Sequence, residues 1–448
     1  MTTMMTATTM TARCGFSPDG RRSHQCRCRS VPNEIIARAL SEADLALLAA
    51  QGFKQVERRA LSGGDSLHRL RNPERLTLEA ARTVVRAGAA TADFNHHYRT
   101  EQGAAAGVPC SGGLCLVRQV IGWPPAATCG GLPRIGMVDT GVNAAHATFA
   151  EARLRLHSLD PAAARDQGTA SDAAHGTALV ALLVGDPASR SPGLVPGAEL
   201  VAVDAFVRIR GDQRSDAFAL ITALDWLAGQ DVQLINLSLA GPPSDALARQ
   251  IEALVARDIL IIAAAGNAGP RAAPAYPGAY DDVLAVTVVD RRKQVYRRAG
   301  GGPHVDLSAP GVDVWTAASV EGARTRTGTS YAAPFVTAAA LWLRTESDLS
   351  PAELTRRLTT GTDVPGAAGR DPVFGADLLA PRPAGPRAGM VPTSPPPCPR
   401  HLDPNDQRSL RNAAAVTGNT ISSAWSRLVL VRMGGGSWTA LERRNGQA

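Results

Sequence analysis

The stretch Thr327-Gly-Thr-Ser-Tyr-Ala-Ala-Pro-Phe-Val-Thr-Ala-Ala-Ala-Leu341 joins a tight turn to an apolar segment, and it decides how the rest of the chain is interpreted. The run from Ala332 to Leu343 has too few polar residues for a surface helix and predicts a helix that is buried on all sides. Gly328 and Thr329 place the hydroxyl of Ser330 at the start of that helix. Unpaired N–H groups and the positive end of the helix dipole lie there, so Ser330 is a candidate nucleophile with surroundings suited to an oxyanion.

The composition predicts a globular protein of two or three domains, because 448 residues with 44% hydrophobic and 19% charged side chains can bury a large core. The net charge of +7 comes almost entirely from arginine. No basic stripe is interleaved with aromatic residues, so no nucleic-acid partner is predicted. No apolar run reaches about 18 residues, so no membrane span is predicted. The Thr/Met-rich N-terminus lacks an apolar region and is not a convincing signal peptide.

The cysteines lie outside the segment 130–397, which carries the motifs described below: Cys14, Cys26, Cys28, Cys110, Cys115, Cys129 and Cys398. One pair among the three cysteines of residues 110–129 could form a disulfide in an oxidising compartment. His24, Cys26 and Cys28 could hold a metal, but a solvated tail explains this segment better because its flanks carry no structural pattern. We therefore predict no metal site and no cofactor.

Composition and hydrophobic period divide the chain into five segments. Residues 1–30 carry no period and are predicted to be disordered. Residues 31–99 show the order β-α-β-β-α-β, which is that of a small ferredoxin-like α+β domain. Residues 100–131 are a Gly/Ala/Pro-rich linker, 132–380 form the main domain, and 381–448 are a Pro-rich linker followed by a basic tail predicted to be disordered.

The main domain alternates short apolar strands with helices. Predicted helices occupy 217–228 and 245–256, and predicted strands occupy 134–142, 199–206, 232–239, 259–265 and 283–289. Continuous apolar strands are typical of a sheet that is buried on both faces. The alternation predicts an α/β fold with a doubly wound, mostly parallel sheet, and functional residues are expected at the carboxyl ends of its strands.

A serine nucleophile needs a base within hydrogen-bond reach and a third group that orients the base. Asp139 ends a predicted strand, and His175 begins an apolar helix, so both are candidates for these roles beside Ser330. Two other signatures were weighed. Asp139-Thr-Gly also spells an aspartic-protease loop, but that chemistry needs two such loops and this chain has one. Gly64-Asp65-Ser66-Leu67 spells an esterase block, but a hairpin turn explains it better.

Four motifs in register resemble those of the subtilisin-like serine protease (subtilase) family, over about residues 132–380. They are Asp139-Thr-Gly-Val, His175-Gly-Thr, Ala264-Ala-Gly-Asn267 and Gly328-Thr-Ser-x-Ala-x-Pro334. The resemblance implies a serine endopeptidase that hydrolyses protein or peptide substrates through an acyl-enzyme. It also implies that His175 is the base, that Asp139 orients it, and that Asn267 and the Ser330 N–H bind the oxyanion.

The resemblance also suggests a substrate cleft. The strand Leu234-Ile-Asn-Leu-Ser-Leu239 resembles the strand that lines the cleft in the family, which gives a predicted substrate-binding set of Ser238, Leu239, Ala240, Ala264, Ala265 and Gly266. Together with Ala275 the last three would form a small, uncharged pocket for an apolar substrate side chain. Two positions depart from the family pattern, Ala178 in place of a second histidine and Ala240 in place of a glycine. The connection 185–197 lacks the oxygen cluster that calcium needs, so calcium is possible but has no clear site.

The position of residues 31–99 before the peptidase-like domain resembles that of a subtilase prodomain, which blocks the cleft and is later removed. This predicts a self-inhibited precursor that is processed somewhere in 99–131. Alternatively the unit is an adhesion or regulatory domain that stays attached. The family resemblance also predicts a secreted or periplasmic protein. The alternative function is a catalytically silent binding protein on a subtilase scaffold.

Overall fold

The computed structural model describes residues 29–100, 120–123, 132–159, 168–360, 375 and 378–379, and the backbone of residues 428–432 and 438–442. The chain divides into two compact units, Met1–Cys398 and Pro399–Ala448. The seven cysteines and His24 lie outside the described residues, as does the predicted disordered segment before Arg29. Among the helices of the described ranges, none is both long and apolar enough to cross a membrane.

The first described domain has the predicted β-α-β-β-α-β order. Its elements are β1 (Ser30–Arg38), α1 (Glu42–Ala50), β2 (Lys54–Ala60), β3 (Ser66–Arg71), α2 (Leu78–Arg86) and β4 (Thr91–Thr100). The strands form an antiparallel sheet in the order β2-β3-β1-β4, which is the ferredoxin-like arrangement. Local sequence sets the helix starts. Ser41 and Asp44 form a capping box at α1, and the Thr77 hydroxyl accepts the Ala80 N–H at α2.

This small sheet has two apolar faces with different partners. One face packs under α1 and α2 around Ile35, Leu70 and Val85. The other face shares a core with the following domain, because Ile36, Leu67 and Tyr98 belong to the same buried cluster as the helices of that domain. The alternation of Ile35 and Ile36 to opposite faces follows from the two-residue period of a strand.

The described part of the main domain contains thirteen strands, and seven of them build one parallel sheet. The strands are β5 (Ile135–Asp139), β6 (Arg153–Ser158), β7 (Thr169–Ala170), β8 (Glu199–Asp204), β9 (Val207–Ile209), β10 (Asp212–Asp216), β11 (Leu234–Leu237), β12 (Leu239–Ala240), β13 (Leu260–Ala264), β14 (Val283–Val289), β15 (Leu307–Pro310), β16 (Val314–Ala317) and β17 (Ala323–Arg326). The parallel sheet has the order β15-β14-β13-β11-β5-β8-β6.

Helices cover both faces of this sheet, as predicted for a doubly wound fold. They are α3 (Ala174–Val184), α4 (Ala217–Ala228), α5 (Asp245–Val255), α6 (Thr329–Glu346) and α7 (Pro351–Thr360), with a 3-10 turn at Ala147–Phe149. One buried cluster holds α3 and α6 with Ile135 and Met137 of β5. The other holds α4 and α5 with Val138 of the same strand. The predicted buried helix 332–343 lies inside α6, which packs on four adjacent strands of the sheet, β11, β13, β14 and β15.

Two segments predicted to be a linker and a disordered tail contain ordered pieces. Within the predicted linker 100–131, Ile121 and Trp123 are buried in the main core, and the Trp123 ring meets Phe335 edge-on with ring centroids 6.3 Å apart. The short apolar run Val120-Ile-Gly-Trp123 explains why this piece packs. In the second unit, β18 (Leu428–Arg432) and β19 (Trp438–Glu442) pair as an antiparallel hairpin where disorder was predicted. The apolar Leu-Val-Leu-Val run before three glycines accounts for it.

Candidate active site

The acid and the base meet at the carboxyl end of β5. Asp139 is the last residue of β5 and His175 is the second residue of α3, and both side chains are fully buried. His175 Nδ1 lies 2.7 Å from Asp139 Oδ1. A bond from an Nδ1–H to the carboxylate leaves the lone pair of the ring on Nε2. That nitrogen is buried and has no hydrogen-bond partner among the described residues, so the ring is oriented to act as a base.

Bonds from backbone N–H groups to side-chain oxygens join the loop that begins at Asp139 (the acid loop) to α3 (the base helix). The Thr140 N–H donates to Asp139 Oδ1 at 2.8 Å, and the Thr140 hydroxyl accepts the Gly176 N–H at 2.9 Å. A Cβ at position 176 would lie 2.4 Å from the Thr140 carbonyl oxygen. Only glycine allows this approach, which explains why the residue after His175 has no side chain.

The serine lies at the start of the buried helix, as the sequence predicted. Ser330 is the second residue of α6 and is fully buried. Its hydroxyl donates to the Ser238 carbonyl at 3.0 Å. The helices α3 and α6 pack against each other, and the Tyr331 ring lies 5.5 Å from the His175 ring, centroid to centroid. The structure therefore brings the base and the serine helices together, while the serine hydroxyl is bonded to the neighbouring strand.

Asn267 lies in the loop after β13 and faces the same helix start. Its side-chain oxygen accepts the Thr329 N–H at 3.1 Å, and the residue is buried. This bond fixes the orientation of the amide, because the oxygen is used at the start of α6. The amide nitrogen, which carries two N–H donors, is at the other branch of the same amide. The bond to Thr329 holds this side chain one residue from Ser330. Asp139, His175, Ser330 and Asn267 thus all belong to one buried group of elements.

A buried polar chain beneath the serine was not predicted from the sequence. The Thr337 hydroxyl donates to Asn236 Oδ1 at 3.0 Å, and Asn236 Nδ2 donates to the Ser238 hydroxyl at 2.9 Å. The Ser238 hydroxyl in turn donates to the Ser330 carbonyl at 2.9 Å. The available signal was a single asparagine inside the apolar strand β11 and a single threonine inside the apolar part of α6, since a buried polar group needs a partner.

The predicted substrate-binding residues lie along one side of the site. Ser238 precedes β12, which consists of Leu239 and Ala240, and both residues pair with the end of β4. Ala264 ends β13, followed by Ala265 and Gly266. A Cβ at position 266 would lie 2.9 Å from the Ala275 Cβ, so Ala275 faces this segment. The structure places a small-walled, uncharged corner next to Asn267, and its role in substrate binding stays a prediction.

The connection after α3, residues 185–197, is poor in oxygen ligands for a calcium ion. Asp186 is the one carboxylate of residues 185–197, and its Oδ1 accepts the Ala188 N–H at 2.8 Å. Calcium requires about six to eight oxygen ligands. The residues of this connection do not fit that requirement. In the part of the chain that the structure describes, no group of three or more His, Cys, Asp or Glu residues could hold a metal.

A serine hydrolase needs a nucleophile, a base and an acid that orients the base, and Ser330, His175 and Asp139 are residues of these types on elements that pack together. Comparison with known proteins narrows this class. Residues 132–376 match the family described as the Subtilase family, peptidase S8. The chain belongs to the subtilase family and is a subtilisin-like serine peptidase.

Individual relatives agree with this assignment. The chain is 28% identical to subtilisin DY of Bacillus licheniformis over 234 residues, which are 51% of this chain and 82% of that protein. It is 30% identical to the minor extracellular protease Epr of Bacillus subtilis over 192 residues, 42% of this chain and 29% of that protein. Fervidolysin from Fervidobacterium pennivorans, a keratinolytic enzyme related to subtilisin, superposes with a TM-score of 0.64 at 16% identity, over 79% of this chain and 60% of that one. The last likeness shows the subtilisin-like fold.

Proposed function

We propose that the chain is the self-inhibited precursor of a serine endopeptidase that uses Ser330, His175 and Asp139 as a catalytic triad. The observation that carries the proposal is the 2.7 Å bond from Asp139 to the buried His175 ring beside the helix that bears Ser330. The peptidase domain would be residues 132–380 and the inhibitory domain residues 31–99. Each proton transfer in the mechanism below uses a side chain of the protein, so no cofactor is invoked.

In this mechanism His175 transfers the protons and Asp139 orients and stabilises His175. The Ser330 hydroxyl turns from the Ser238 carbonyl toward His175 Nε2 and attacks the scissile carbonyl as Nε2 takes its proton. His175 then gives this proton to the departing amine, and an acyl-enzyme on Ser330 remains. Asp139 stays ionised, holds the ring through Nδ1 and stabilises the protonated imidazole. Water, activated by the same histidine, releases the acyl group.

Asn267 and the start of α6 stabilise the oxyanion. Negative charge develops on the carbonyl oxygen as the hydroxyl of Ser330 attacks. The amide N–H of Asn267 and the backbone N–H of Ser330 are donors at the positive end of a helix dipole. One such side-chain donor contributes about 2.7–4 kcal/mol in related sites.

The end of β4 provides the inhibition in this proposal. His97 and Tyr98 pair antiparallel with Asp216 and Ser215 of β10, and Arg99 and Thr100 pair with Ala240 and Leu239 of β12. A strand seated in this way occupies the backbone groups that a substrate would use. Because β4 runs toward Ser238 and the serine bonded to it, we propose that the processed bond lies within a few residues after Thr100.

Polar contacts hold the inhibitory domain on two helices. The Asp93 carboxylate accepts the Asp245 N–H at the start of α5, and the Asn95 side-chain oxygen accepts the Phe218 N–H in the first turn of α4. Both contacts satisfy backbone donors that a helix start leaves unpaired. The charge on Asp93 also complements the positive end of the helix dipole.

A close approach at Gly241 completes the docking. The Tyr98 hydroxyl donates to the Pro242 carbonyl at 2.9 Å. A Cβ at position 241 would lie 2.4 Å from Tyr98 Cδ1, so the ring requires a glycine there. This fit between a buried tyrosine of β4 and a glycine next to β12 supports a dedicated interface between the two domains.

We also propose that the mature enzyme works outside the cytoplasm on protein or peptide substrates, as the name of the extracellular relative Epr suggests. The hypothesis that Ser330 is a working nucleophile is tested by a serine-reactive fluorophosphonate probe applied to the processed protein. We expect labelling of wild type and none of Ser330→Ala. An unlabelled but folded wild type would instead favour the binding-protein alternative.

A further inference from the structure

The leaving-group side of the active site can be located from the strand directions. β4 runs antiparallel to β12 and reaches Leu239 with its last residue, Thr100. Ser238 directly precedes Leu239 in the chain, and its carbonyl oxygen accepts a hydrogen bond from the Ser330 hydroxyl. A peptide bound in the direction of β4 therefore has its acyl part along β12. Its departing part continues past Ser330 on the side of His175, which must protonate the amine.

The hairpin β16–β17 lies on that side. The Thr316 hydroxyl of β16 donates to the Ala178 carbonyl of the His175 helix at 2.6 Å. At the turn of the hairpin, Asn143 of the acid loop donates to the Ser319 carbonyl at 3.0 Å, and His146 Nε2 lies 3.0 Å from the Gly322 carbonyl oxygen. The hairpin is thus attached to both the base helix and the acid loop, and β17 leads into Ser330 four residues later.

Two arginines on β17 have no polar partner within the described part of the chain. Arg324 and Arg326 are two residues apart on one strand and therefore share a face. Among the described residues neither guanidinium makes a hydrogen bond or an ion pair, and the Nε of Arg326 is buried without a partner. A buried N–H of a charged group without a partner is costly, and a bound anion would satisfy it.

Both arginines lie close enough to Tyr331 for their charges to act on its hydroxyl. Tyr331 follows Ser330, and its ring packs against His175. Burial raises the pKa of the Tyr331 hydroxyl, and the charges of Arg326, Asp139 and Arg324 also act on it. The two guanidinium groups are therefore within electrostatic range of a residue that follows Ser330 in the chain and packs against His175.

We propose that Arg324 and Arg326 form an anion-binding subsite on the leaving-group side that selects a carboxylate just after the scissile bond. The proposal rests on the proposed peptidase function and adds a substrate class to it. A guanidinium binds a carboxylate through paired N–H donors, and Arg326 supplies the donor nearer to the scissile bond. The carboxylate belongs to an Asp or Glu side chain or to the end of a short peptide.

The local charges agree with this selection. Glu321, in the exposed turn of the hairpin, is the one acidic residue of segment 314–326. Asp139, the acid of the proposed triad, is engaged by His175 and Thr140. Nothing in the described part of this segment neutralises both arginines, and a bound carboxylate would.

Internally quenched peptides that differ in one residue test the proposal. The set carries Glu or Gln at the first or second position after the cleaved bond, with the C-terminus amidated, and mass spectrometry identifies the bond. We expect the processed wild type to cleave the Glu peptides with kcat/KM about tenfold above the Gln peptides, as for a charge-assisted hydrogen bond. The ratio should shrink as salt is raised.

The double variant Arg324→Gln/Arg326→Gln should bring the Glu/Gln ratio close to one while cleavage of the Gln peptide is retained, which shows that it is folded. Arg356→Gln is the matched control, because Arg356 is an exposed arginine on α7, paired with Glu353. It should keep the wild-type ratio. A wild-type ratio of one, or a ratio that survives in the double variant, overturns the side-chain assignment.

A second pair of peptides, one with a free C-terminus and one with a C-terminal amide, distinguishes a side-chain carboxylate from the carboxylate of a chain end. If Glu and Gln peptides are equal but a free C-terminus is preferred over an amide, and this preference disappears in the double variant, the subsite binds a chain end. If neither preference exists, the proposal fails. Absence of all cleavage together with absence of fluorophosphonate labelling would instead remove the peptidase function itself.

Discussion

The proposed triad and the contact between the two described domains differ in how they are built. The active-site cluster is joined by short bonds between fully buried groups, and its one ion pair is His175–Asp139 among the described residues. The domain contact mixes an apolar core with titratable groups. There Arg69 lies 3.3 Å from Asp216 and 4.5 Å above the Phe218 ring, and Arg99 bonds Asp212 at 2.8 Å.

This difference suggests two different lifetimes. A buried site with fixed donors keeps its geometry through many turnovers, because packing and hydrogen bonds over-determine it. A contact with charges, backbone pairing and a histidine can be weakened by a cut or by a change of pH. The contrast fits a permanent catalytic centre beside an inhibitor that is meant to leave, and the predictions below test each half.

The largest effect is expected at the acid. Asp139→Asn keeps the shape of the site but presents the wrong hydrogen-bonding partner to His175 Nδ1, so the lone pair is no longer held on Nε2. We expect kcat to fall about 10⁴-fold while substrate binding changes little. Steady-state hydrolysis of a peptide by the processed protein measures it. A fall below tenfold would mean that Asp139 does not orient the base.

A smaller effect is expected at the oxyanion donor. Asn267→Leu keeps the volume but removes the amide N–H, and we expect kcat to fall about 10²–10³-fold with KM nearly unchanged. Because Leu also leaves the Thr329 N–H without its acceptor, thermal unfolding should be recorded beside the kinetics. An increase in KM at constant kcat would assign Asn267 to substrate binding instead.

The domain contact is expected to weaken in acid through His97. Burial, with a contribution from Arg214, lowers the pKa of His97 to about 4. The free domain would have the ordinary value of about 6.5. Protonation is then favoured in the separated domain, so association weakens as the pH falls below about 6.5 and levels off near 4. Between pH 7 and pH 5 this gives about a 20-fold loss.

Gel filtration of the processed complex at the two pH values measures this loss. His97→Gln should reduce the pH dependence, and it leaves the mature enzyme identical because the change lies in the removed domain. Glu34 titrates in the opposite sense, since burial raises its pKa above the usual value and protonation is favoured in the docked state. An unchanged pH dependence in His97→Gln would remove His97 from this role.

The smallest effect is expected from metal removal. The connection 185–197 offers one carboxylate, which is bonded to its own backbone, so EDTA should not shift the melting temperature of the processed enzyme. Differential scanning calorimetry with EDTA and with added calcium checks this. A fall of several degrees in EDTA that calcium reverses would place a calcium site elsewhere in the chain.

Much of the architecture could be predicted because it is encoded locally. The strands 259–265 and 283–289 and the helix after Ser330 are continuous apolar runs that the sequence itself shows. Motif spacing selected Asp139, His175 and Ser330, and the structure brings the elements that carry them together. The prediction of their roles rests on the chemistry that a serine nucleophile requires, and not on a local sequence pattern.

What could not be predicted depends on pairing across long stretches of chain. Thr100 and Leu239 are neighbours in one sheet although 139 positions separate them. No hydrophobic period records which strand edge a segment will join. The buried Arg326 Nε, which has no partner among the described residues, and the Thr337–Asn236 bond could not be predicted either. Each depends on the packing of two elements that are distant in the sequence.

The central claim is that Ser330 cuts the chain that inhibits it. Intact-mass measurement of full-length wild type beside Ser330→Ala tests it most directly. We predict that wild type alone loses an N-terminal fragment ending within a few residues after Thr100, while Ser330→Ala stays whole. If both chains remain whole and wild type is inert toward denatured protein, or if the variant is cut at the same bond when purified alone, the account is contradicted.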